Sequence, residues 1–180
     1  SPTPLDLNLL PLVRQNGQDQ PSIPGLFMVT PPKRTARGRD EDRLVLYFTP
    51  QGNAPMEEAQ IQQILGRLST AYYKTPGSVT LALRATADIM NVFLLERNGK
   101  FANSGKQTIG LLALAVLREE KLTLGICGPI HAYLITPQET QEWFDQQASG
   151  RGLGLSRSVS VRFFQNDLQT RAGRPLKDRR

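Results

Sequence analysis

The hydrophobic period changes twice along the chain, and these changes mark out its elements. Apolar runs rich in Val, Leu, Tyr and Phe read as strands at Gly25 to Thr30, stopped by Pro31-Pro32, and at Arg43 to Thr49. The charged segment Lys33 to Asp42 connects them. Ile61, Ile64, Leu65, Leu68 and Tyr72 then fall at i, i+3, i+4, i+7 and i+11, one face of a helix that begins near Pro55 and ends at Pro76-Gly77. Val79, Leu83, Ile89, Met90, Phe93 and Leu94 sustain a second helical pattern, with Asn98-Gly99 as its C-terminal stop.

Beyond that stop the period falls back towards two. Thr108 to Leu117, Leu122 to Cys127 and Ile130 to Ile135 read as strands, and the links Arg118-Glu119-Glu120-Lys121 and Gly128-Pro129 are short enough for an antiparallel meander. The first of these runs is apolar at nearly every position, which suits a strand covered on both faces. Thr136-Pro137-Gln138-Glu139 has the spacing of a capping box and predicts a short helix carrying Trp143 and Phe144 as core residues. Gly150 to Gly154 lacks the Lys-Ser/Thr of a phosphate loop and reads as a turn, and Ser158 to Phe164 as a last strand. Strands, two helices, then strands again favour an α+β layered fold over a doubly wound one.

Five of the thirteen prolines lie in residues 1–24, which therefore read as an irregular arm ahead of a domain at residues 25–168. Residues 169–180 offer Leu176 as their only large apolar side chain and read as a basic flexible tail that adds little to folding. The formal net charge is +6, but residues 151–180 hold eight basic and two acidic side chains, so the first 150 residues balance. A basic tail on a neutral body reads as a solvated end, which makes nucleic acid the weaker choice of partner. No apolar run approaches the roughly 18 residues of a membrane span. With no secretory pattern at the N-terminus, the expectation is a cytoplasmic protein with no membrane role.

Chemistry is constrained further by one cysteine, one histidine and no Asn-x-Ser/Thr site, which exclude an internal disulfide, a zinc cluster and a glycosylated surface. Cys127 reads as a small buried hydrophobe and His131 as a structural histidine in an apolar hairpin, because no Ser or Cys has a recognisable base and orienting group.

The two helices, the apolar strand, the hairpin and the phrase Gly128-Pro129-Ile130-His131-Ala132-Tyr133-Leu134 together resemble the middle of a metal-dependent Ser/Thr phosphatase domain of the PPM or PP2C type. The family's phrase is Gly-Asp-Ser-Arg-Ala-Tyr-Leu, so four of seven residues match. Upstream, Arg37-Gly38-Arg39-Asp40-Glu41-Asp42 resembles its Arg-x-x-x-Glu-Asp segment. The resemblance covers about residues 25–168 and implies an antiparallel β-sandwich flanked by helices in α-β-β-α layers, expected to be without its last strands. It further implies a phosphate-binding role for Arg37 and metal-binding roles for Asp42 and for the backbone of Gly52, with Mg or Mn as the cofactor if the chain is active.

Chemistry of that kind needs several carboxylates around two hard cations. The family's Asp-Gly-x-Gly-Gly corresponds to Gln51-Gly52-Asn53-Ala54-Pro55, and its second aspartate to Pro129. A late Asp-Gly is missing after Asp167. The set Arg37, Asp42 and Gly52 is thus expected to be vestigial, without catalytic residues and without a bound cofactor. On the residues alone, Asp40-Glu41-Asp42 among Arg37, Arg39 and Arg43 reads first as a solvated ion-pair cluster at a strand entry. Three functions stay open: a degenerate module that binds, scaffolds or regulates a protein partner, a residual Mg/Mn-dependent serine/threonine phosphatase, and a nucleic-acid contact through the basic end. Missing strands would also leave an unpaired edge near Ser158 to Phe164, an invitation to self-association.

Overall fold

Residues 7–168 are described by a computed structural model. Two short strands lie inside the expected irregular arm: β1 (Val13–Gln15) and β2 (Gln18–Gln20) pair as a hairpin. Asn16 and Gly17 sit at φ of 53° and 75°, the left-handed pair that a two-residue hairpin turn requires. Residues 1–6 and the tail at residues 169–180 fall outside the described residues.

Next come β3 (Leu26–Val29), β4 (Arg43–Gly52), α1 (Glu58–Lys74), α2 (Val79–Lys100), β5 (Thr108–Arg118) and β6 (Lys121–Cys127). The register Leu44↔Val116, Leu46↔Leu114 and Phe48↔Leu112 sets six large side chains on one face of the sheet, none more than 1% exposed. Ile61, Ile64, Leu65, Leu68 and Tyr72 of α1 and Leu83, Ala87, Met90 and Leu94 of α2 join them in one core. Burying a large apolar side chain of this kind contributes roughly 1.5 to 3 kcal/mol, so this interface dominates the domain's stability. Gly110 lets the layers close: a Cβ there would lie 2.5 Å from Leu94 Cδ1 and 2.9 Å from Phe48 Cε2. The helix ends differ from expectation by a few residues. Glu57 and Gln60 form the capping box of α1, and α2 runs through Gly99, because Asn98 uses its side chain to bond the backbone N–H and C=O of Thr108 at 2.7 and 2.8 Å.

The expected three-strand meander does not form, because β6 pairs instead with β9 (Arg162–Asp167). Gly128 takes φ of 91° and donates its N–H to the Ser149 carbonyl at 2.8 Å, and Pro129 has no N–H to continue a ladder. The chain therefore leaves the sheet and returns as a separate ribbon, β7 (Ala132–Ile135) paired with β8 (Thr140–Trp143). The helix expected from Thr136 is likewise replaced. Thr136 N–H donates to the Glu139 carbonyl at 2.9 Å and Glu139 N–H to the Thr136 hydroxyl at 3.2 Å, closing a turn between β7 and β8. A single helical turn, α3 (Gln146–Ser149), follows with Asp145 as its cap.

The result is an antiparallel α+β fold: a helix pair on one face of a five-stranded sheet in the order β3-β4-β5-β6-β9. The ribbon meets the second face where Trp143 stacks on Phe164, ring centroids 5.4 Å apart, and Trp143 is buried as expected of a core residue. Elsewhere that face is only half-covered. Val45, Tyr47, Ala113 and Ala115 are half-buried, so β5 is fully sealed on its helix side alone. Strand β9 forms one edge of the sheet. Among the described residues no helix is long and apolar enough to cross a membrane.

Candidate functional site

The segment ahead of β4 is tightly folded. Ala36 N–H bonds the Tyr73 carbonyl at 2.7 Å, Arg39 N–H the Ala36 carbonyl and Asp42 N–H the Arg39 carbonyl, both at 3.1 Å. These turns drive Arg39 and Asp42 into the protein, and both are 0% exposed. The Asp42 carboxylate accepts four hydrogen bonds: from Arg39 Nη1 at 3.2 Å, Tyr72 Oη at 2.6 Å, Arg118 Nε at 2.5 Å and Arg118 Nη2 at 3.0 Å. A carboxylate offers about four lone-pair sites, so its capacity is filled by protein donors. The Tyr73 hydroxyl donates to the Asp42 backbone carbonyl at 2.7 Å.

Arg39 does a second job. Its Nε and Nη2 donate to the carbonyls of Thr75, Gly77 and Ser78 at 3.1, 2.5 and 2.8 Å, stitching the α1–α2 connection to the start of β4. Burial, the hydrogen bond to Asp42 and the negative charge of Asp42 push the Tyr72 phenol well above its ordinary range. Burial likewise pushes Tyr73 up to about 12. The bond to Asp42 raises the Arg118 pKa, so the guanidinium keeps its proton throughout.

The expected site residues do not meet. Asp42 precedes β4 and Gly52 ends it, which at about 3.3 Å per residue places them roughly 30 Å apart. Arg37 is exposed and makes no hydrogen bond or ion pair in the described structure, while Arg39, two residues on, takes the central place. The solvated cluster is not what forms either, since Asp42 is sealed.

The structure does bring Gln51 and Pro129 together, the two positions where the resemblance places ligands. Both line a groove of about 510 Å³ on the second face of the sheet, with Tyr47, Thr49 and Leu111 on its floor and His131 at its rim. None of its lining residues is acidic. His131 stacks on Phe144 with ring centroids 3.8 Å apart and meets Glu142 through Nδ1 at 2.8 Å, a structural arrangement on a half-exposed hairpin. Cys127 is fully buried and its thiol is pushed up to about 12 by burial, as befits a core side chain.

Mg and Mn demand several hard oxygen ligands with negative charge among them. An amide, hydroxyls, a proline and an imidazole do not meet that demand, and Asp42 is both distant from the groove and saturated. Among the described residues no three His, Cys, Asp or Glu side chains are grouped so that they could hold a metal ion. The described residues therefore do not fit the dinuclear centre that the resemblance implies.

No family model matches the sequence, and no curated protein matches it by sequence. Solved structures do match. A bacterial serine phosphatase superposes with a TM-score of 0.56 at 12% identity, covering 79% of this chain and 72% of that one. The serine/threonine phosphatase Stp1 of Staphylococcus aureus gives 0.57 at 11% identity, covering 81% and 71%. The catalytic domain of the serine/threonine phosphatase PstP, solved with two manganese ions, gives 0.55 at 15% identity, covering 76% and 70%. The order of elements, the helix pair over an antiparallel sheet and these superpositions agree: the chain has the fold of the PPM/PP2C-type serine/threonine phosphatases.

Proposed function

We infer that the chain is a catalytically degenerate PP2C-like domain that acts by binding, as a scaffolding or regulatory module for a protein partner. The observation that supports this reading is the groove in which Gln51 and Pro129 converge without a single carboxylate. PstP was solved with two manganese ions. A dinuclear site generates its nucleophile by lowering the pKa of metal-bound water and needs anionic ligands to hold the ions. Gln51 and Pro129 supply no charge, and the neighbouring Tyr47, Thr49 and His131 do not replace it. Asp42, the carboxylate that persists in the sequence phrase, instead holds the α1–α2 connection and β5 together through Arg39 and Arg118.

The test is turnover of a chromogenic phosphate monoester and of a phosphoserine peptide by the 180-residue chain in millimolar manganese or magnesium. The expected result is a rate indistinguishable from buffer with metal alone. Turnover abolished by a chelator would restore the phosphatase reading.

A further inference from the structure

A second cavity lies on the helix side of the sheet, away from the groove. It holds about 220 Å³ and is walled on one side by Ser78, Val79 and Thr80, the first turn of α2, and on the other by Arg118, Lys121 and Thr123 at the β5–β6 hairpin. We propose that this cavity binds a tetrahedral oxyanion, the phosphate group of free phosphate or of a phosphomonoester. The proposal stands independently of whether the domain turns over substrate.

Thr123 points to a ligand most directly. It is 2% exposed, faces the helices between its cross-strand neighbours Val116 and Gln165, and its side-chain hydroxyl makes no hydrogen bond in the described structure. No sealed side-chain oxygen or nitrogen lacks a partner among the described residues, so the Thr123 hydroxyl opens into the cavity it lines. The hydroxyl is a donor held on the cavity wall with no protein acceptor, available to an oxyanion that enters.

The helix supplies the second set of donors. Ser78 occupies the Leu81 N–H with its hydroxyl at 3.1 Å and the Ala82 N–H with its carbonyl at 3.0 Å, which leaves the Val79 and Thr80 N–H groups without acceptors among the described residues. Helix α2 runs 22 residues and has no acidic side chain in its first turn, so the positive end of its dipole is not compensated there.

Charge completes the case. Arg39 and Arg118 share the single carboxylate of Asp42, leaving one positive charge in excess. Arg118 spends Nε and Nη2 on Asp42 and on the Gly38 carbonyl, while its Nη1 has no acceptor among the described residues. Lys121 is exposed, and its ammonium makes no ion pair or hydrogen bond in the described structure. Besides Asp42, the hairpin carries Glu119, which acts on Arg118, Glu120 in the same turn and Asp167 opposite Lys121, and none of these acids lines the cavity. Gln165 closes the wall from β9 with an amide that can donate. Donors arriving from a helix end, two cations, a hydroxyl and an amide on different elements suit a tetrahedral acceptor better than a planar carboxylate.

The experiment is a 15N NMR titration of the full chain with inorganic phosphate, methyl phosphate and sodium acetate at matched ionic strength. The expected result is saturable shifts of the Val79 and Thr80 amides with the phosphates and none with acetate. Response to both phosphates assigns a phosphomonoester, and response to inorganic phosphate alone assigns free phosphate. Thr123→Val removes the hydroxyl at nearly constant volume and Lys121→Gln removes an exposed charge. Neither touches the Asp42 network, and each should weaken binding about five- to tenfold. Absence of saturation up to about 20 mM phosphate, a weak affinity by any standard, overturns the proposal, as does saturable binding that both variants leave unchanged.

Discussion

Replacing Asp42 by asparagine tests the structural role assigned to its carboxylate. The substitution keeps size and shape but removes the charge facing two guanidinium groups, one of them Arg39 at 0% exposure. Breaking a buried ion pair by removing one partner costs about 3 to 5 kcal/mol, because the other charge stays buried without compensation. Arg118 is 34% exposed at its side chain and can recover hydration, which moves the expectation to the lower end, about 3 kcal/mol. For a domain of this size each kcal/mol shifts the thermal midpoint by about 2 to 4 °C, so Asp42→Asn should melt roughly 6 to 12 °C below the parent. Tyr72→Phe, which removes one short bond to the same carboxylate, should cost about 1.5 to 3 kcal/mol. Urea unfolding followed by far-UV circular dichroism and by the fluorescence of Trp143 measures both, with midpoints shifted at unchanged slope. A loss below about 1 kcal/mol for Asp42→Asn, the range of a solvent-exposed ion pair, would refute the reasoning.

Stability should also fall at alkaline pH. Tyr73 titrates near 12 when folded against about 10 when unfolded, so its neutral form is favoured in the native state. The unfolded chain therefore binds fewer protons above pH 10, and this contribution, complete below 10, is lost as pH rises towards 12. Urea midpoints that decline from pH 9 to 11.5, less steeply in Tyr73→Phe, would agree, and a flat profile would not. Gly110→Ala should destabilise by about 1 to 3 kcal/mol, because the added methyl meets Leu94 and Phe48 at 2.5 and 2.9 Å. Thermal melts are sufficient to check it, and an unchanged midpoint would show that the α2–β5 interface has slack.

The layered architecture was readable where one physical cause acts locally. The apolar runs at Arg43 to Thr49, Thr108 to Leu117 and Leu122 to Cys127 and the helical spacings from Ile61 and Val79 report burial directly, and β4, β5, β6, α1 and α2 form where those patterns lie. Errors arose where a local motif has two outcomes. Thr136 and Glu139 carry a capping-box spacing, yet the same hydroxyl closes a hairpin turn once Trp143 is drawn onto Phe164. Asn16-Gly17 is a hairpin signal of its own inside the proline-rich arm, and β1 and β2 pair across it. The departure of β7 from the sheet depends on Gly128 bonding Ser149, a contact that no short window contains.

The candidate site divides in the same way. Gln51 and Pro129 could be recognised as missing ligands by phrase alone, and they do converge on one groove. The separation of Asp42 from Gly52 follows from β4, which runs ten residues, through Pro50 to Gly52, where the apolar run of the sequence ends at Thr49. Arg118 lies 76 residues from Asp42, and neither periodicity nor spacing predicts that pairing. Arg39 was hidden because adjacent arginines at 37 and 39 carry the same chemistry, and only the turns at Ala36 and Arg39 decide which one is buried.

The central proposal, that the described residues of this PP2C-like fold do not supply the ligands of a dinuclear metal centre, is tested most directly by calorimetric titration of the chain with manganese. The account predicts no saturable heat at metal concentrations up to about a millimolar, because neither the groove at Gln51 and Pro129 nor the saturated Asp42 offers a charged oxygen cage. Stoichiometric manganese binding that Asp42→Asn abolishes without unfolding the domain would contradict it.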